Sequence, residues 1–281
     1  MPELPEVECL TRAVKTVASN TTLISTKFYR KDLREPIPIR EFNSLLRGQK
    51  ITNVSRRSKY MLIHCDKGIG IFHLGMTGNI LCYDTHKPQL PHTHAVFEIK
   101  DSHNKTTYLH FVDPRRFGYI QCCKPQELKE HRYFKHLGPE PLGRTNLAAH
   151  LFQVSRNRKG PVKNFLMNAQ MIVGVGNIYA SESLFRAKIH PLSPAGSVTK
   201  TQYEDLATEV KQTLKEAIKA GGTTLRDFKN PEGKPGYFSI SLKVYGRKNQ
   251  ACTICDTQIE EFKLAGRATY FCPACQKQPH K

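Results

Sequence analysis

No stretch of the sequence approaches the ~18 consecutive apolar residues that a membrane span requires, and it contains no low-complexity tract and no internal repeat. These absences exclude a spanning helix and argue against disorder, collagen and coiled coil. A leader is not expected either. The first eight residues hold Glu3, Glu6 and Glu8, where a secretory n-region or a transit peptide would carry positive charge. The cytoplasm is the expected location, with no membrane partner. Acidic residues are few beside basic ones: 24 Asp and Glu stand against 43 Lys and Arg, leaving a formal charge of +19 over 281 residues.

A surplus of this size points to a polyanion, because Lys and Arg gain affinity by releasing counterions condensed on phosphates. Residues 1–135 carry +9 and residues 136–281 carry +10, so the charge is not a basic tail on a neutral body. The length suggests two domains, and two basic halves fit a nucleic acid lying in a groove between them. Charge alone leaves a generic basic protein open as the rival.

Nine cysteines divide into two groups. Cys9, Cys65, Cys82, Cys122 and Cys123 are scattered through apolar or strand-like stretches and read as reduced core filler. Cys252, Cys255, Cys272 and Cys275 form two CxxC pairs separated by sixteen residues, the spacing of a tetrahedral zinc site. Four thiolates fill the coordination sphere, so one structural Zn2+ is expected rather than a catalytic one. Two redox pairs are the alternative.

Val7, Leu10, Val14 and Val17 recur at helical spacing behind Pro5, which predicts an amphipathic helix from residue 5 to about 18. Between 51 and 123 the texture turns to short runs rich in β-branched and aromatic residues. Runs at 60–65, 69–74, 94–99, 106–112 and 119–122 read as an antiparallel sandwich. The Gly- and Pro-rich stretch at 137–143 marks a break, and beyond it Tyr203, Leu206, Val210, Leu214 and Ile218 form one apolar helical face ended by Gly221-Gly222. A shorter helix is expected around 162–167, and another from Asn177, read as its N-cap. The Gly174-Val175-Gly176 segment before it is a tight turn or an anion-binding loop. Asp227 to Phe238, with Lys234, reads as a mobile loop.

Pro2 carries the chemistry of the N-terminus if the initiator Met is trimmed. A free α-amine has a pKa near 8, so about a tenth is unprotonated at neutral pH, far more than for a lysine at ~10.4. Such an amine can attack a sugar carbon and leave an iminium that serves as an electron sink, with Glu3 one residue away to pass protons.

Several motifs occur in order along the chain: Met1-Pro2-Glu3-Leu4-Pro5-Glu6, Arg56-Arg57-Ser58-Lys59-Tyr60, His73-Leu74-Gly75-Met76-Thr77-Gly78, Asp113-Pro114-Arg115-Arg116-Phe117-Gly118, the Gly174–Glu182 run and the terminal CxxC pairs. Together they resemble the bacterial formamidopyrimidine-DNA glycosylases from end to end. The resemblance implies an α+β protein of two domains. An N-terminal antiparallel β-sandwich with flanking helices (1–136) and a linker (137–150) would precede a helix-two-turns-helix domain (151–240) and a zinc β-hairpin (241–281). It also implies a monomer that binds double-stranded DNA bearing oxidised bases or abasic sites, associated in a bacterium with the nucleoid.

Roles follow from the same resemblance. Pro2 would form a Schiff base at C1′, aided by Glu3, with Glu6 lining the site. Lys59 would serve β-elimination and Arg267 δ-elimination. Met76, Arg115 and Phe117 would fill the gap left by an extruded purine, and His92, Arg158 and Asn177 would grip the backbone. Each residue also has a plainer reading: core packing for Met76 and Phe117, a solvated strand edge for Lys59, a phosphate clamp for Arg267, a loop histidine for His92. The Arg156–Lys159 cluster leaves the position of Arg158 open by one residue. Two rivals stand beside this reading. One is the endonuclease VIII branch, which usually has Gly where this chain has Leu4 and lacks the Met76, Arg115, Phe117 set; the other is a zinc-dependent DNA-binding protein without turnover.

Overall fold

Apolar side chains at Leu4, Val7, Leu10, Val14 and Ala18 fall on one face of helix α1 (Leu4–Ala18), and all five are fully buried. Pro5 sits in the first turn, where its missing N–H costs nothing. Residues 2–222 and 242–278 are described in the computed structural model, and the loop expected at 227–238 lies outside them. The described chain divides into two compact units, residues 2–135 with 220–222 and residues 136–219 with 242–278.

The first unit is a sandwich of two four-stranded antiparallel sheets. Strands β1 (Thr22–Phe28), β5 (Asn79–Tyr83), β6 (Thr93–Lys100) and β7 (Thr106–Val112) form one sheet in the order β1-β6-β7-β5. The second sheet runs in chain order through β2 (Ile51–Arg57), β3 (Tyr60–Cys65), β4 (Ile69–His73) and β8 (Tyr119–Cys123). Alternation along the strands sends Phe72, Phe97, Leu109 and Phe111 inward, where they meet Phe42 of helix α2 (Ile39–Leu46) and the buried stripe of α1. The five strand runs expected from the sequence are all present. Four further elements, β1, α2, β2 and β5, went unread. The first two lie ahead of the run-rich stretch, β2 ends on Arg56-Arg57, and only two residues of β5 are buried.

The second unit is helical. Helices α3 (Leu147–Ser155), α4 (Val162–Met167), α5 (Asn177–Arg186) and α6 (Lys200–Lys219) pack around Leu151, Tyr179, Tyr203, Leu206 and Val210. The side chain of Asn146 accepts from the Ala149 N–H and caps α3. A two-stranded hairpin, β9 (Glu260–Leu264) and β10 (Arg267–Phe271), completes the unit. Phe185 of α5 joins Val244, Cys252, Ile259 and Cys272 in a small core beneath it. Of the scattered cysteines, Cys65, Cys122 and Cys123 are buried as expected, whereas Cys9 and Cys82 are half-buried.

Candidate active site and nucleic-acid interface

Pro2, Glu3 and Glu6 are all buried at the start of α1. The Glu3 N–H donates to Glu6 Oε2 at 2.8 Å, so Glu6 closes the first helical turn. Two residues further on, Glu8 accepts from Arg56 Nε and Arg12 Nε, each at 2.8 Å. Burial alone would raise the Glu8 carboxyl, but the two guanidinium groups hold it below the ordinary carboxylate range. Arg56 also donates to the Ser58 carbonyl at 2.8 Å. That bond braces the two-residue β2–β3 turn, in which Ser58 has φ 56° and Lys59 is half-buried. A single guanidinium thus links the helix that begins beside Pro2 to the turn that presents Lys59. His73, packed between Tyr60 (tilted) and Tyr119 (edge-on) at ring distances of 4.7 and 5.3 Å, has its pKa pushed down to about 4 by burial and then by the charges of Lys59 and Arg34.

Met76 and Phe117 do not join the core. They are 37% and 39% exposed and are two of only four large hydrophobic residues exposed among the described residues. Each sits at the tip of a tight loop. Gly75 has φ +62°, and a Cβ there would lie 2.4 Å from the Phe117 carbonyl carbon, so glycine is required for the two loops to touch. Arg115 is exposed, its guanidinium carbon 4.9 Å from the centroid of the Phe117 ring. Behind the tips lies Asp113, fully buried, the first residue of the Asp113–Gly118 motif and one to which the sequence alone attaches no role. Asp113 Oδ1 accepts from Thr77 Oγ1 at 2.6 Å and from the Arg115 N–H at 3.3 Å, and Oδ2 accepts from the Gly118 N–H at 2.7 Å. The bond to residue i+2 is an Asx-turn, a signal that Asp-Pro carries in the sequence.

His92 is exposed in the β5–β6 loop with φ 62°, and its carbonyl accepts from the Asp113 N–H at 3.0 Å. In the basic cluster of the second unit, Arg156 is turned inward and donates to the Phe152 and Val198 carbonyls and to Ser155 Oγ. Arg158 is exposed, and its Nε donates to the Val154 carbonyl at 2.8 Å. Of the two arginines in that cluster, the outward cation is therefore Arg158.

Arg267 is exposed and opens β10, directly after a two-residue turn in which Ala265 and Gly266 both have positive φ, 47° and 75°. The sulfur atoms of Cys252, Cys255, Cys272 and Cys275 lie within 4.8 Å of one another, with contacts of 3.5–3.9 Å. Tetrahedral zinc with bonds of about 2.3 Å sets its sulfurs about 3.8 Å apart. Backbone N–H groups of Ile254 and Cys275 point at Cys252 and Cys272 sulfurs, as a thiolate cluster needs. The four cysteines fit one structural zinc, and none is left over for catalysis.

Asn177 corrects an expectation. The N-cap of α5 is Gly176, and Asn177 is the first helical residue. Its amide is drawn away by stronger partners: Oδ1 accepts from Lys163 Nζ at 2.7 Å and Nδ2 donates to the Ala268 carbonyl at 3.0 Å. Lys163 is itself buried and donates to Thr269 Oγ1 at 2.7 Å and to the Ala268 carbonyl at 3.2 Å. Glu182, also buried, accepts the N–H groups of Lys243, Val244 and Tyr245 at 2.9 Å each. Lys163 and Glu182 carry little local signal of these roles, since apart from Asn177 their partners named here lie 61–106 residues away.

The sequence matches three family descriptions in turn: "Formamidopyrimidine-DNA glycosylase N-terminal domain" over residues 1–120, "Formamidopyrimidine-DNA glycosylase H2TH domain" over 137–229 and "Zinc finger found in FPG and IleRS" over 249–278. A formamidopyrimidine-DNA glycosylase of Legionella pneumophila is 43% identical, with 98% of each chain covered. Among solved structures, the MutM (Fpg) protein of Thermus thermophilus is 34% identical with a TM-score of 0.86, covering 99% of this chain and all of the other. Lactococcus lactis Fpg, solved in complex with an abasic site containing DNA, is 29% identical with a TM-score of 0.88, covering 98% and 100%. The chain, with its sandwich, its helical unit and its four-cysteine hairpin, belongs to the formamidopyrimidine-DNA glycosylase family.

Proposed function

We propose that this protein is a bifunctional DNA glycosylase and abasic-site lyase of base-excision repair that removes oxidised purines, 8-oxoguanine and formamidopyrimidines. The observation that carries the reading is the pair of buried carboxylates, Glu3 and Glu6, beside Pro2 at the first turn of α1. With Met1 removed, the Pro2 nitrogen attacks C1′ of an extruded nucleotide. The base leaves with a proton supplied through Glu3, and the ring-opened sugar remains bonded to Pro2 as a Schiff base. Lys59 then assists loss of the 3′ phosphate and Arg267 loss of the 5′ phosphate. Met76 and Phe117 replace the lost stacking while Arg115 meets the orphaned base, and the exposure of all three supports that role. His92, Arg158 and Asn177 hold the backbone, and the positive charge of both halves supplies the long-range attraction.

Borohydride reduction on duplex DNA bearing 8-oxoguanine opposite cytosine tests the reading. A covalent adduct is expected, with the crosslinked peptide mapping to Pro2 and trapping severely weakened in Pro2→Gly. A crosslink at an interior lysine would overturn the nucleophile. Faster reaction on an oxidised pyrimidine would move the protein to the endonuclease VIII branch, and DNA binding without trapping on any lesion would remove the catalytic reading.

A further inference from the structure

The residues proposed to fill and read the emptied base stack, together with His92, proposed to hold the backbone, lie on three separate loops. Met76 follows β4, His92 precedes β6, and Arg115 and Phe117 precede β8. The first two flank β5 and the third follows β7, and none contains a helix or strand to hold its shape. Asp113, at the start of the third loop, bonds to the other two. Its N–H donates to the His92 carbonyl, its carbonyl accepts from His94 Nε2 at 2.7 Å and from the Arg116 N–H at 3.2 Å, and its carboxylate binds Thr77, Arg115 and Gly118. The Thr77 hydroxyl takes part twice, donating to Asp113 Oδ1 and accepting from the Arg115 N–H at 3.2 Å. A buried carboxylate that accepts from one side chain and two backbone amides fixes the relative positions of the groups that donate to it.

We propose that the Asp113–Thr77 pair is a positioning device that holds Met76, Arg115 and Phe117 as one preassembled wedge. The proposal rests on the reading of these loops given above. Neither Asp113 nor Thr77 touches the extruded nucleotide or the Pro2 amine in this scheme. Their effect should therefore appear only where a duplex must be opened and its gap filled, and not in the covalent chemistry. An abasic site in single-stranded DNA separates the two, since it has no partner strand and no gap.

The experiment compares wild type, Thr77→Val, Thr77→Ser and Asp113→Asn on two substrates: borohydride trapping on a single-stranded abasic oligonucleotide, and single-turnover excision from a duplex holding 8-oxoguanine opposite cytosine. Thr77→Val is nearly isosteric and removes only the hydroxyl, so it keeps the test usable if Asp113→Asn fails to fold. Expected for Thr77→Val is trapping within about twofold of wild type and duplex excision reduced about tenfold, the size of one lost charge-assisted hydrogen bond. Thr77→Ser, which restores the hydroxyl, should recover most of the duplex rate. Asp113→Asn keeps only one acceptor for the donors of two loops and should fall at least as far on the duplex. Duplex excision by Thr77→Val within twofold of wild type overturns the proposal, as does an equal loss on both substrates or no recovery in Thr77→Ser. Wild-type protein that neither traps on the abasic strand nor excises from the duplex would instead overturn the functional reading, and this inference with it.

Discussion

Two of the places where this chain is proposed to meet DNA are held in opposite ways. In the first unit the loops with Met76, His92, Arg115 and Phe117 hang from a sandwich whose core includes four phenylalanines in mutual contact, at centroid distances of 5.4–6.4 Å. In the second unit Arg267 sits on a hairpin of two five-residue strands, with a core of five buried residues, two of them zinc-site cysteines. A hairpin of that size is marginal by itself in water. The sandwich can therefore carry irregular loops on its own packing, whereas the hairpin depends on its metal and on the buried polar groups beneath it. Binding of structural zinc supplies about 10–16 kcal/mol in zinc-finger peptides, as much as the whole stability of a typical domain.

Metal removal should break the comparison most sharply. Chelation is expected to abolish amide exchange protection across 242–278 and to lower DNA affinity at least a hundredfold, while strands β3, β4, β6 and β7 keep their protection. Equal loss in both units would show that the sandwich does not stand alone. A smaller effect is expected from Glu182→Gln. The carboxylate meets three backbone N–H groups, and an amide can offer only one acceptor oxygen to them. A destabilisation of about 1.5–3 kcal/mol follows from losing a charged partner, read as a lower Tm and faster zinc release to a chelator, with β-sandwich protection unchanged.

Acid should act on the first unit. His73 is neutral in the fold with a pKa of about 4, while in the unfolded chain it titrates near 6.5. Between those values the unfolded state holds the extra proton, so the contribution of His73 is complete above about pH 6.5 and is lost progressively as pH falls toward 4. Glu8 works in the same direction at lower pH: its depressed pKa stabilises the fold above its ordinary value and that stabilisation is lost as the carboxylate protonates. Thermal melts from pH 7 to 4 should show a shallower decline in His73→Gln than in wild type.

What the sequence disclosed follows the range of the interactions involved. Strands rich in β-branched residues, the α1 stripe and the CxxC spacing are local patterns, and each is legible within a short window. Asn177 was misread as a cap because its competing partners, Lys163 and Ala268, lie 14 and 91 residues away, and buried acceptors and donors at that range leave no local trace. The same holds for Thr77 and Asp113, 36 residues apart, although the Asx-turn from Asp113 to Arg115 was available from Asp-Pro alone. Hydrophobicity pointed Met76 and Phe117 toward the core. It could not register that Gly75 brings two loop backbones into contact, which turns both side chains outward.

That last contrast yields the smallest expected change in stability and the most direct separation of folding from function. Phe72 and Phe117 are the same residue type in the same unit, one 1% exposed in the aromatic core and the other 39% exposed on a loop tip. Phe72→Ala removes buried area and leaves a cavity, at a cost of about 3–5 kcal/mol. Phe117→Ala and Met76→Ala remove side chains that already face water, so their unfolding free energies should stay within about 0.5 kcal/mol of wild type. Duplex excision should fall in both loop variants, because nothing then replaces the stacking of the extruded base. Trapping on single-stranded abasic DNA should persist. A loop variant that melts like Phe72→Ala would return Phe117 or Met76 to the core, and with it the simpler reading that its hydrophobicity first suggested.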